Sequence, residues 1–197
     1  MRGGERKRPA ALEQFDQLVG QHGLLDEWTS SPEGLPQRSL YSRDNNYRYA
    51  FARWWGCKEE VLRFVVWVML NPASRESNRK RRPTLDRIVA RSREWGAEGV
   101  ITVNLFAYRS PDPETLADVP DPVGPHNDQV LELLTGEAWR TVAAWGARGG
   151  LHNRSTSVLP YLTNPLCLGT TRAGEPRHPL YVPAAAAVVP LSHACGS

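Results

Sequence analysis

The chain has 197 residues and a mass of 22.0 kDa, the size of one domain, and its 41% hydrophobic and 23% charged content excludes global disorder. No apolar run approaches the roughly 18 residues of a membrane span, and the N-terminus MRGGERKRPA has no apolar signal core, so a cytoplasmic protein with no membrane partner is expected. The net charge of +3 is too small to define a nucleic-acid binder, and three dispersed cysteines without a CxxC pair, with five histidines lacking HExxH spacing, point away from a metal centre or redox site. Cys57 and Cys167 sit beside apolar residues and read as reduced packing residues, while Cys195 lies in a tail.

Residues 1–10 are basic and Gly-rich and read as a disordered tail; 11–183 read as a single α/β domain, and 184–197 as a poorly specified C-terminal tail. Leu12, Phe15, Leu18 and Val19 recur at helical spacing, which predicts a helix over 11–28. A loop follows over 29–38. Residues 39–55 read as a hairpin turned by Asp44-Asn45-Asn46. RFVVWVML (63–70) is nearly unbroken apolar sequence, the signature of a central parallel strand covered on both faces. A polar loop leads to a helix over 84–95, with Thr84 as N-cap and Leu85, Ile88 and Val89 inward. VITVNLF (100–106) is a second strand. Asn127 caps a helix over 128–139, RTVAAW (140–145) is a third strand, a helix covers 151–162, and PLCL (165–168) is a short fourth strand.

A hairpin followed by alternating strands and helices predicts an α/β fold: a three-layer α/β/α sandwich with a short, mainly parallel central sheet and right-handed crossovers. In such sheets ligands bind beyond the carboxyl ends of the strands. Asn71-Pro72-Ala73-Ser74, Asn104 with Arg109 beyond it, Trp145-Gly146, and the segment from Thr170 to His178 should therefore face one crevice. Residues 75–93 hold eight basic side chains against Glu76 and Asp86, leaving 16 basic and 19 acidic residues elsewhere, so the positive charge is local and suggests an anionic partner.

The segments WVMLNPAS, PTLDRI, VNLFAYRS, PVGPHND, AAWG and GEPRHPLYVP resemble a bacterial family catalogued as domain of unknown function 1643, over about residues 38 to 183. More distantly, the order of LNPAS (70–74), VITVNLFAYRSP (100–111), TVAAWGARG (141–149) and RHPL (177–180) resembles the uracil-DNA glycosylase superfamily. The chain departs from that superfamily at Leu180, where Ser is usual, and it lacks Gly before Asn-Pro.

This second resemblance implies a glycosylase-like hydrolase acting on the N-glycosidic bond of a nucleobase, a nucleotide or a modified base in nucleic acid, DNA rather than RNA. The alternatives are a non-catalytic nucleotide or nucleic-acid binding module of the same fold, and an α/β enzyme acting on a phosphorylated metabolite. No cofactor is expected. Such bond cleavage places oxocarbenium character on the sugar and negative charge on the departing base, so it needs oriented water, donors at the anion and shielding from solvent. Asn71 is the candidate to orient water, His178 to donate to the base, and Asp86 to act as general base. Asn104 is the candidate reader of the base edge, Phe106, Tyr108 and Tyr181 its stacking partners, and Pro72, Ser74 and Arg109 further substrate contacts. Arg75, Arg79, Arg81 and Arg82 are the candidate phosphate contacts.

Overall fold

The computed structural model describes residues 10–55, 63–73, 83–136 and 138–191. The first helix, α1 (Ala10–His22), is followed by three strands, β1 (Leu25–Ser30), β2 (Pro36–Tyr41) and β3 (Arg48–Trp54). The apolar run forms β4 (Phe64–Met69), with all six residues buried. Next come α2 (Pro83–Glu94), β5 (Gly99–Asn104), α3 (Asn127–Gly136), β6 (Arg140–Ala143), a short α4 (Arg154–Val158), β7 (Leu166–Cys167) and β8 (Val189–Pro190).

All eight strands join one sheet in the order β1-β2-β3-β5-β4-β6-β7-β8. The four strands in the middle and right of that order, β5, β4, β6 and β7, are mutually parallel, because helical crossovers return the chain to the same end each time. The remaining pairings, β1-β2, β2-β3, β3-β5 and β7-β8, are antiparallel. The expected mainly parallel sheet is thus corrected to a mixed one. The hairpin is no appendage: it extends the sheet through β3, which lies directly against β5.

Strand alternation sends successive β4 side chains to opposite faces. Val66 and Val68 join Ile101, Val103 and Ala143 under α1, α3 and α4, where Phe15, Leu18, Val130, Leu131 and Val158 complete the larger core. Val65, Trp67 and Met69 join Val100, Val142 and Ala144 on the other face, beneath Leu85 and Ile88 of α2. Each fully buried side chain of this size contributes about 1.5–3 kcal/mol from desolvation. Trp67 is buried whole because its Nε1–H finds the Ser92 Oγ at 3.0 Å and its ring stacks on Trp95.

Several sequence-based expectations shift. The first helix stops at His22 instead of continuing to 28, and residues 25–30 form edge strand β1. Helix α2 begins at Pro83, so Thr84 stands inside the first turn and not ahead of it as the cap. The expected helix over 151–162 is a 3-10 segment, the five-residue α4 and another 3-10 turn. Part of the expected tail is structured: Val189 pairs with Cys167, and Arg91 donates to the carbonyls of Pro183, Ala184 and Ala186. Residues 1–9, Cys57, Ser74, Arg75, Arg79, Arg81, Arg82 and Cys195 fall outside the described residues.

Candidate functional site

The carboxyl ends of β4, β5 and β6 open onto a cleft of about 840 Å³ on the α2 face of the sheet. Its floor comes from Phe51, Met69, Thr102 and Asn104, one wall from Pro83, Thr84, Leu85 and Ile88 of α2, and the other from Trp145, Gly146, Thr171 and His178. Asn71, Arg48, Arg148, Arg177 and Tyr181 also line it. Among its described lining residues the side chains with a fixed charge are all arginines: Arg48, Arg148 and Arg177.

Each strand end is held by specific bonds. The Asn71 Nδ2 donates to the Ser110 carbonyl at 2.9 Å and the Pro72 carbonyl at 3.3 Å. With its N–H groups committed to the loop, Asn71 has its Oδ1 as the remaining polar atom for a ligand. At the end of β5, the Asn127 Nδ2 donates to the carbonyls of Asn104 and Leu105, and the Arg154 Nε donates to the Leu105 carbonyl. The backbone beneath Asn104 is therefore clamped by two side chains. Asn104 itself is only 2% exposed, and its Nδ2 has no hydrogen-bond partner. A buried amide N–H without a partner costs on the order of 1–3 kcal/mol, and a ligand acceptor in the cleft removes that cost.

The loop 169–178 supplies the opposite wall. The Glu175 carboxylate accepts from Trp145 Nε1 at 2.5 Å and from Ser155 Oγ at 2.8 Å. The Gly146 N–H donates to the Pro176 carbonyl, and the Arg177 Nε donates to the Thr170 carbonyl. This anchoring presses His178 against Gly146, whose φ of 82° and ψ of −174° are open only to glycine. The Leu180 N–H donates to His178 Nδ1 at 3.3 Å. Burial holds the imidazole below its ordinary pKa, so it is neutral at pH 7. With Nδ1 accepting, the ring proton sits on Nε2 as a donor. Tyr181, 81% exposed, packs its ring 5.5 Å from His178 at the rim.

Residues 48–180 match the model of a family described as Protein of unknown function (DUF1643). The chain belongs to that family. Every cleft-lining residue except Tyr181 falls within the matched span. No curated protein matches the DUF1643 chain, and no solved structure does.

In this DUF1643 protein the cleft gathers four of the candidate catalytic and substrate-binding residues, Asn71, Asn104, His178 and Tyr181, together with Trp145, Gly146, Thr171 and Arg177 from the strand-end segments expected to face it. Others lie elsewhere. Phe106 is wholly buried in the larger core. Tyr108 packs edge-on against Tyr47. Arg109 bonds the Asn45 carbonyl and side chain and lies over the Tyr41 ring, stapling the hairpin turn to the loop after β5. Pro72 is buried and accepts from the Ser110 N–H, outside the cleft lining, as is Asp86 on the first turn of α2. Sequence reasoning missed Arg48 and Phe51, because it treated the hairpin as separate from the strand ends. Among the described residues no cluster of three His, Cys, Asp or Glu side chains could hold a metal, and no helix is long and apolar enough to cross a membrane.

Proposed function

We propose that the cleft binds a nucleobase and that the protein is a glycosylase-like hydrolase of the N-glycosidic bond in a nucleotide or nucleic acid. The observation that carries this reading is the convergence of Asn71, Asn104 and His178, from separate strand ends, on one cleft. Helices on both faces of the parallel strands fit the three-layer arrangement of the uracil-DNA glycosylase superfamily, the likeness on which the reaction class rests.

The roles follow from the donor and acceptor each side chain leaves open. Asn104 Nδ2 meets an acceptor on the base edge. The Nε2–H of neutral His178 donates to the departing base as negative charge develops there. Asn71 Oδ1 accepts from the attacking water and orients it. Phe51, Met69 and Trp145 exclude bulk solvent, which strengthens these interactions. The test is to incubate the protein with nucleotides and with DNA carrying modified bases, and to follow free base by chromatography. Asn71→Ala is expected to abolish release while leaving binding within about threefold, an energy under 1 kcal/mol.

A non-catalytic nucleotide-binding module is the second reading. It is favoured by the described cleft residues, which include no carboxylate to serve as general base for the water. Retained binding with no base released from any of these substrates would decide for it.

A further inference from the structure

Arg48 opens β3, and its register carries information about the ligand. Tyr41 pairs with Arg48 while Leu40 pairs with Ala50, so Tyr49 is an extra residue that bulges out of the ladder. In a regular strand, residues 48 and 51 point to opposite faces. The bulge cancels that alternation. Tyr49 turns into the larger core beside His126, and Arg48 is thrown onto the α2 face with its guanidinium 5.8 Å from the Phe51 ring. Both residues line the cleft.

The position of Arg48 sets it apart from the other cleft arginines. Arg148 is half-exposed, and Arg177 is exposed at the rim. Arg48 is half-buried on the floor side, at the end of the cleft bordered by β3. His178 lies against Gly146, just past β6. The order β3-β5-β4-β6 puts three strand spacings, roughly 14 Å, between these two ends. The unpartnered Asn104 Nδ2, nearly fully buried, lies between them on β5. The cleft thus has an aromatic end whose rim carries the exposed Arg148 and Arg177, an amide in the middle and a recessed cation at the far end.

We propose that the ligand is a nucleoside monophosphate, with its phosphoryl group seated at Arg48 and its base between Asn104 and His178. This rests on the nucleobase reading given above and adds the phosphate and its place. An arginine recessed at a cleft end suits a terminal phosphoryl group, which reaches inward, and not a phosphodiester held along a strand.

The experiment is isothermal titration of the full chain with nucleosides, nucleoside 5′-monophosphates, ribose 5-phosphate, inorganic phosphate and a single-stranded oligonucleotide. The monophosphate is expected to bind at least tenfold more tightly than its nucleoside. Arg48→Met should remove that advantage and leave nucleoside affinity unchanged, and Arg48→Lys should keep part of it. Far-ultraviolet dichroism and melting of both variants establish that they fold. Equal affinity for nucleoside and monophosphate overturns the phosphate assignment and leaves the base reading standing. If ribose 5-phosphate matches the monophosphate and nucleosides do not bind, the base reading fails and the phosphate site stands. Tighter binding of the oligonucleotide than of any monophosphate overturns the small-ligand class.

Discussion

His178 shows how one side chain is prepared by its neighbours. Its Nδ1 accepts from the Leu180 N–H, and burial lowers its pKa. The folded state therefore prefers the neutral ring, and the stability this adds is present above the ordinary value of 6.5 and lost as pH falls below it. Proton titration followed by NMR should give His178 a midpoint below 6.5. Gly146 is the matching backbone constraint. A Cβ there meets the His178 Cβ at 3.3 Å, and its φ and ψ exclude other residues. Gly146→Ala should cost about 1–3 kcal/mol in urea unfolding and raise the His178 midpoint toward the ordinary value, as the ring is pushed out of its buried seat. An unchanged midpoint in a destabilised variant would separate backbone strain from the positioning of the imidazole. The glycine was visible in the sequence as the stop after a strand. Its contact with a residue far along the chain was not, because that depends on the path of loop 169–178.

At the level of elements, Glu175 decides that path. It accepts from Trp145 and Ser155, and Gly149 leaves no room for a side chain there, since a Cβ would come within 2.1 Å of the Trp145 ring. Glu175→Ala leaves the Trp145 N–H buried without an acceptor. A loss of about 1–3 kcal/mol in chemical denaturation is expected, together with weaker nucleoside binding as the Trp145–His178 wall loosens. Glu175→Gln keeps one acceptor and should recover most of the stability. The elements that the apolar pattern reached are those with a buried stripe: α1, β4, β5, α2 and α3. Strand β1 escaped because nearly all of LDEWTS is exposed. What holds it is electrostatic. Arg38 on β2, 1% exposed, bonds Asp26 on β1 and also Asp16 and the Leu12 carbonyl of α1. No apolar alternation records such an arrangement.

Across the whole molecule, the crossover rule brought three strand ends to one cleft, and this much was legible because parallel strands must finish at the same edge. The contribution of β3 was not legible, since an antiparallel strand reaches that edge by its beginning, and only the bulge at Tyr49 turns Arg48 inward. The other face of the same strand ties the fold together in a pH-dependent way. Tyr49 packs against His126, which stacks on His22 of α1 with ring centroids 4.4 Å apart. The His22 Nε2 is buried without a partner. Burial, and then the nearby His22, lower the His126 pKa, so the folded state holds this imidazole neutral more strongly than the unfolded chain does. Its contribution to stability is complete above pH 6.5 and declines as the pH falls below that value. Thermal melts should therefore show a fall in Tm from pH 7 to pH 5 that is smaller in His126→Asn than in the wild type. An equal fall in both would place the acid sensitivity outside the contact that joins α1 to α3 and the back of β3.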